Sequence, residues 1–288
     1  MNAEEKLAAQ REAVDRELGR LLEPGDSPLF QSMRYAVLSG GKRFRPLLLL
    51  SAGEWFKVER SVLLPFACAL EFIHNYSLIH DDLPCMDDDD VRRGRPSCHK
   101  AFGEDIALLA GDALLTLAFE VLAEAPLPAV LEPQRAPVIR EIGRQAGARG
   151  MIEGQCLDIR LAPETLDEMS YRDLILKKTG GLIIASVKCG GLLGRASAGE
   201  LQALVDYGTN VGLAFQVRDD ILDAAQELAR PEIFRPNSVL LFGEDGARRR
   251  LEGFAAAALA ALDRASIASE ELRALASKLL VAKEGTDR

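Results

Sequence analysis

The chain has 288 residues, 48% of them hydrophobic and 6% aromatic, and 44 acidic against 35 basic side chains leave a net charge of −9. That length can bury a large core, and the acidic balance leaves no broad basic face for a phosphate backbone, so general binding of nucleic acid is excluded. Five cysteines, odd in number and without CxxC spacing, argue against a disulfide framework and a zinc site and fit a reducing compartment.

In chain order, the start "MNAEEKLAAQREAV" is charged and lacks the apolar core of a signal peptide. The longest apolar runs read as too short for a membrane span, so the expectation is a cytoplasmic protein with no stable membrane anchor. Leu7, Val14, Leu18 and Leu21 form a first helical stripe, which "EPGDSP" ends. Further helices are expected at roughly 28–38, 44–57, 62–81, 104–124, 136–161, 167–178, 181–193, 199–227, 245–263 and 268–284. The breaks between them are short and none resembles a linker, which predicts one all-α domain over the whole chain, a bundle of about ten helices.

Two of these helices end in acid. "SLIHDDLPCMDDDDVRRGRP", Ser77 to Pro96, places six aspartates between Asp81 and Asp90 and follows them with Arg92, Arg93 and Arg95. "QVRDDILD" sets Gln216, Asp219, Asp220 and Asp223 at i, i+3, i+4 and i+7, one face of a helix. Either cluster alone reads as a solvated face. Two of them on apolar helices call for a cation, and oxygen ligands without neighbouring His or Cys suit a hard one such as Mg²⁺. An EF-hand does not fit, because the glycine and terminal glutamate of a calcium loop are missing at the required spacings. What remains is a metal-bridged phosphate, with Arg92 and Arg93 taking its other oxygens.

Basic residues occur at further breaks. "GGKRFRP" puts Lys42 and Arg45 behind a glycine pair, open to a surface turn or an anion loop. "LKKTGG" offers Lys178 and Thr179, open to a helix cap or the same use. His74 lies seven residues before Asp81, on its face of the helix.

Together, "GGKRFRP", "EFIHNYSLIHDDLPCMDDDDVRRGRP", "KTGG" and "FQVRDDILD" resemble the trans-isoprenyl diphosphate synthases, most closely bacterial farnesyl diphosphate synthases, and the likeness continues through "AGDALLTLAFE" and "GMIEGQCLDI". The resemblance implies an all-α bundle around a central cavity, a homodimer, and condensation of isopentenyl diphosphate with allylic diphosphates. By that likeness Asp81, Asp82, Asp87, Asp219, Asp220 and Asp223 supply the metal sites, for three Mg²⁺ ions. Arg92, Lys178, Thr179 and Gln216 face the allylic diphosphate; Lys42, Arg45, His74 and Arg93 bind isopentenyl diphosphate. Asp81, Asp87, Arg92, Lys178 and Asp219 carry the chemistry. Tyr76, with Ser77 beside it, would floor the cavity and stop growth at fifteen carbons, since it stands about 7.5 Å down the helix from Asp81.

One departure stands out. After Asp223 the family usually has a glycine-lysine loop and a Lys-x-Thr-Tyr-Pro-like segment, whereas this chain has "AAQELARPEIFRPNSVLLFG", with Arg235, Asn237 and Ser238 in place of the lysine, threonine and tyrosine. This predicts a mobile loop over Ala224–Ser238 and weaker capture of the allylic substrate, and it keeps a non-catalytic subunit and a different chain length, such as geranylgeranyl diphosphate, as alternatives. A terpene cyclase would not need "GGKRFRP" or the second acidic motif.

Overall fold

The computed structural model describes residues 2–23, 25–160, 166–227 and 236–280. Thirteen α-helices run through them: α1 (Ala3–Leu21), α2 (Pro28–Val37), α3 (Phe44–Trp55), α4 (Arg60–Asp81), α5 (Cys98–Phe102), α6 (Glu104–Glu124), α7 (Arg135–Ala146), α8 (Met151–Arg160), α9 (Glu168–Ile175), α10 (Gly181–Leu193), α11 (Ala198–Glu227), α12 (Ser238–Arg264) and α13 (Glu270–Ser277). One antiparallel hairpin, β1 (Val91–Arg92) with β2 (Arg95–Pro96), separates α4 from α5. The fold is all-α, as the periodicity predicts.

Local chemistry explains several boundaries. A capping box starts α1: the Asn2 side chain accepts from the Glu5 N–H at 2.9 Å and Glu5 accepts from the Asn2 N–H at 3.0 Å. Asn237 caps α12, which bends at Gly243, where φ is 67°. Leu7, Val14 and Leu18 of α1 are buried as expected, but Leu22 rather than Leu21 completes the stripe.

The central helices carry the core. α4 and α10 are buried on most sides: Leu63, Phe66, Leu70, Phe72 and Ile73 of α4 pack with α6 residues such as Leu114, and Ile183 and Val187 of α10 pack with Leu47 and Leu48 of α3 and with Tyr207 and Val211 of α11. Burying such side chains contributes about 1.5–3 kcal/mol each, which lets α4 keep Pro65 in its interior. α4 and α6 are long and apolar enough to cross a membrane, contrary to the reading of the apolar runs. Of their most apolar stretches, 72% of α4 and 39% of α6 is nevertheless buried in the protein.

Other expectations need revision. The helix expected over 136–161 is two, α7 and α8, parted by a turn at 147–150 in which Gly150 donates to the Gly147 carbonyl. The helix expected at 167–178 ends as α9 at Ile175 and passes into a π-helical turn, Leu176–Gly180. α11 continues to Glu227, over the first residues of the loop expected from Ala224. Arg235 and residues 228–234 of that segment lie outside the described residues, as do 281–284 of the last expected helix.

Candidate active site

The last turn of α4 delivers Asp81, and Asp82 caps it. Successive helix residues are rotated by about 100°, so the two carboxylates part company. Asp82 is buried and accepts from Arg92 three times, from Nε at 3.0 and 3.3 Å and more closely from Nη2, while Arg92 also reaches Asp89 at 3.2 Å. Asp81 remains partly open. Burial pushes its carboxyl up to about 6, opposed by Lys178 and reinforced by Asp87. The loop after it coils back: the Asp87 N–H donates to the Asp81 carbonyl at 2.9 Å, and those of Met86 and Asp88 donate to the Leu83 carbonyl at 2.8 and 3.2 Å. Residues six apart in sequence thereby stand together.

The second acidic face behaves alike. Asp219 on α11 has a side chain 35% exposed, and Arg218 is its neighbour at 3.5 Å. Its carboxyl is raised to about 6 by burial, with Lys42 and Arg218 opposing. Asp220 is buried, and it accepts from the Tyr171 hydroxyl, from the Gln216 amide at 2.9 Å and from the Ser238 backbone N–H at 2.7 Å. Gln216 in turn accepts from the Thr179 hydroxyl at 2.9 Å. Asp223, partly buried, lies a turn further along α11.

Between the two faces runs the π-helical turn that carries Lys178 and Thr179. Lys178 pairs with Asp158 of α8 at 2.5 Å and is the main cation opposing the raised pKa of Asp81. The turn lies against α8 at Gly154, where a Cβ would stand 2.3 Å from the Lys178 backbone nitrogen, so any larger residue would push the lysine away. Isolated π turns recur at functional sites because they re-aim side chains within a helix.

The basic loop Ser39–Arg43 leads into α3. Arg43 has a left-handed φ of 49° and is held by three acceptors: Asp15 at 2.7 Å, Glu71 at 2.9 Å and the Val37 carbonyl at 2.8 Å. This fixes its neighbours: Lys42 is exposed and Arg45 buried. Arg45 Nε has no hydrogen-bond partner among the described residues, and burial lowers the guanidinium to about 10. Arg93 sits in the hairpin turn, where it and Gly94 both have positive φ, and donates to the Gly40 carbonyl at 2.6 Å. It packs on Gly41, whose φ of 131° and 3.1 Å clearance leave room for glycine alone. His74 is held neutral by burial and by Arg45, Arg93, Arg92 and Arg43 around it. Tyr76 is buried edge-on to His80 at 5.7 Å, its hydroxyl without a partner among the described residues, and burial followed by Asp81 raises it to about 12. Ser77 donates to the His74 carbonyl at 2.9 Å.

Sequence reading missed Asp158, Tyr171 and the Arg43–Glu71 pair and named Ser238 only as a departure from the family pattern; packing makes all of them partners. It also left out Asp88, Asp90 and His99, whose ligand-capable atoms lie within 4.8 Å of one another, the one such group of three among the described residues, although Asp90 also pairs with Lys100 at 2.7 Å. Asp81, Asp87 and Asp219 stand wider apart than such a group, which suits Mg²⁺ bridged by phosphate oxygens, since that ion takes one or two carboxylates and fills its shell with phosphate and water. Partly open carboxylates raised by burial fit a hard cation, and a buried guanidinium whose Nε has no hydrogen-bond partner among the described residues fits an anion.

Residues 26–230 match the polyprenyl synthetase family. A farnesyl diphosphate synthase of Geobacillus stearothermophilus is 42% identical over 236 residues, covering 80% of each chain. That of Escherichia coli (strain K12) is 43% identical over 237 residues, covering 80% of this chain and 78% of that one. The crystal structure of an FPP/GFPP synthase from Zymomonas mobilis in its apo form superposes with a TM-score of 0.88 at 34% identity, covering 97% of this chain and 99% of that one. With motifs, fold and relatives in agreement, this chain belongs to the polyprenyl synthetase family.

Proposed function

We propose that this chain is a Mg²⁺-dependent trans-prenyltransferase, a single domain that condenses isopentenyl diphosphate with dimethylallyl or geranyl diphosphate to give mainly farnesyl diphosphate. The observation that carries the reading is the pairing of two partly open carboxylates, Asp81 and Asp219, with a buried arginine, Arg45, whose Nε lacks a hydrogen-bond partner among the described residues. Asp81, Asp87 and Asp219 would hold three Mg²⁺ ions, with Asp82 and Asp223 close by, and the bound metal would supply positive charge to the departing diphosphate.

The chain's own groups do the rest. Lys178 and Arg92 donate to the allylic diphosphate while Asp158 and Asp82 hold those cations from behind. Thr179 and Gln216 line the same side. Lys42, Arg45 and Arg93 bind isopentenyl diphosphate, and His74, kept neutral, offers an N–H without adding charge. The allylic carbon–oxygen bond breaks and its electrons leave with the diphosphate. The isopentenyl double bond attacks the allylic cation, forming the new carbon–carbon bond, and the surplus proton passes to the released diphosphate. Apolar walls keep water from the cation. Tyr76, with Ser77, limits the product to fifteen carbons; its closeness to Asp81 supports that role.

A homodimer in the cytoplasm completes the reading. Leu108 and Leu109 of α6 are 47% and 52% exposed on a helix that is otherwise strongly apolar, a face suited to a second copy. All five cysteines are free, which supports a reducing compartment. The test is isopentenyl diphosphate consumption by the isolated protein with each allylic starter: fastest turnover with geranyl diphosphate and a fifteen-carbon end product support the reading, and no consumption with any starter overturns it.

A further inference from the structure

The loop "GGKRFRP" carries the cations Lys42, Arg43 and Arg45, and the fold treats the middle one apart. Arg43 is 3% exposed, and its fork is shared among three helices: Nε donates to Asp15 of α1 at 2.7 Å, Nη1 to Glu71 of α4 at 2.9 Å, and Nη2 to the Val37 carbonyl that ends α2 at 2.8 Å. Glu71 is itself held, since its Oε1 also accepts from the Asn75 side chain at 3.4 Å. Burial works against the charge on Arg43, but Glu71 and Asp15 outweigh it. On either side of it, neither Lys42 nor Arg45 forms an ion pair among the described residues. The backbone between them has the left-handed φ of 49°, which a residue with a side chain adopts only when its surroundings impose it.

We infer that Arg43 is a positioning residue for the isopentenyl diphosphate site, which binds no substrate itself and sets Lys42 and Arg45 in place by fastening their loop to α1, α2 and α4. Charge is the first argument. Glu71 attracts Arg45 and Arg93 as well, yet Arg43 takes its hydrogen bond, and the Nε of Arg45 is left without an acceptor and open to an anion. An arginine whose three nitrogens already donate within the protein has little left to offer a phosphate. Geometry is the second. A planar guanidinium meets three acceptors from three helices in one orientation only, which a lysine ammonium on a flexible stem would not reproduce, so the backbone at Arg43 is pinned. Its Nη2 also answers a carbonyl at the C-terminus of α2, where a cation is favoured. Asp15 precedes the residues 26–230 that match the family, so α1, which supplies none of the ligand residues, is joined to the isopentenyl site through one ion pair. The inference rests on the reading under Proposed function.

The test is steady-state kinetics with both substrates varied, in wild type, Arg43→Lys, Asp15→Asn and Asp15→Glu. Arg43→Lys keeps the charge but loses the fork, and it should raise the isopentenyl KM by about tenfold or more. Asp15→Asn removes one charged acceptor and should raise that KM about three- to tenfold, while Asp15→Glu, which keeps a carboxylate, should hold it within about twofold of wild type. In all three variants the allylic KM and kcat should stay within about twofold. The Asp15 side chain is 49% exposed and its replacement leaves the buried Arg43–Glu71 pair intact, so Asp15→Asn carries the test if Arg43→Lys does not fold. Equal rises in both KM values would mean a general loss of packing and would overturn the inference alone, as would an isopentenyl KM that Asp15→Asn leaves unchanged. No condensation by the wild type with any allylic starter would overturn the parent reading and this inference with it.

Discussion

The end of α4 and the middle of α11 present the same pair of letters, Asp81–Asp82 and Asp219–Asp220, and treat them the same way by different means. In each pair the first carboxylate is partly open and raised to about 6 by burial. In each the second is buried and occupied. At α4 the occupant is a cation, Arg92; at α11 it is a set of neutral donors, Tyr171, Gln216 and Ser238. The difference teaches that neighbouring aspartates, set about 100° apart on a helix, meet different surroundings, one partly open and one holding a wall in place. A charged clamp holds Arg92 against the end of α4, and a neutral one holds the start of α12 on α11.

The largest effect should come from the open members. Asp81→Ala or Asp219→Ala should lower turnover on the order of a thousandfold while circular dichroism shows the helices intact, because each removes a metal-facing oxygen and relieves like-charge repulsion. Unchanged Mg²⁺-dependent activity in both would refute the assignment.

The clamps should differ in stability. Arg92→Ala leaves Asp82 buried without its cation, and a loss of about 1–3 kcal/mol is expected, discounted because Arg92 is itself 36% exposed. Tyr171→Phe removes one neutral bond to Asp220 and should cost about 0.5–1.5 kcal/mol. Urea denaturation that ranked them the other way would break the contrast between charged and neutral clamps.

Tyr76→Ala keeps both acidic pairs and opens the space beneath Asp81. Product analysis should then show chains beyond fifteen carbons with little change in Mg²⁺ dependence. An unaltered fifteen-carbon product would mean that Tyr76 only packs the core.

The smallest effect is one of pH. Asp81 and Asp219 titrate near 6 in the fold and near 3.8 when unfolded, so between those values the folded protein holds more protons. The stability these groups contribute to the metal-free protein is therefore fullest at low pH and is lost as pH rises through about 6. Thermal melts in a chelator should show this slope between about pH 4 and 6, flattened in Asp81→Asn and Asp219→Asn. A slope unchanged by both substitutions would place the titration elsewhere.

What could be read from sequence follows the range of the forces involved. The stretches expected at 104–124 and 181–193 coincide with α6 and α10, since apolar periodicity is local. The 136–161 stretch misled because its apolar spacing runs across the turn at 147–150, and the hairpin and α5 were missed because they are too short to show a period. In the site, Asp81 and Lys178 are legible as motif residues, but the partner of Lys178 is Asp158, twenty residues away on another helix. Asp220 is legible as part of the face that i, i+3, i+4 and i+7 define; its partners Tyr171 and Ser238, brought in by packing, are not.

The paired division is tested most directly by measuring Mg²⁺-dependent incorporation of isopentenyl diphosphate into a fifteen-carbon product in four single variants, Asp81→Asn, Asp82→Asn, Asp219→Asn and Asp220→Asn, beside the wild type. The expected result is that incorporation is lost at every Mg²⁺ concentration in Asp81→Asn and Asp219→Asn. In Asp82→Asn and Asp220→Asn it should persist with the wild-type Mg²⁺ half-saturation and a raised allylic KM. Equal loss in all four, or a Mg²⁺ half-saturation displaced in Asp82→Asn and Asp220→Asn, would contradict the account.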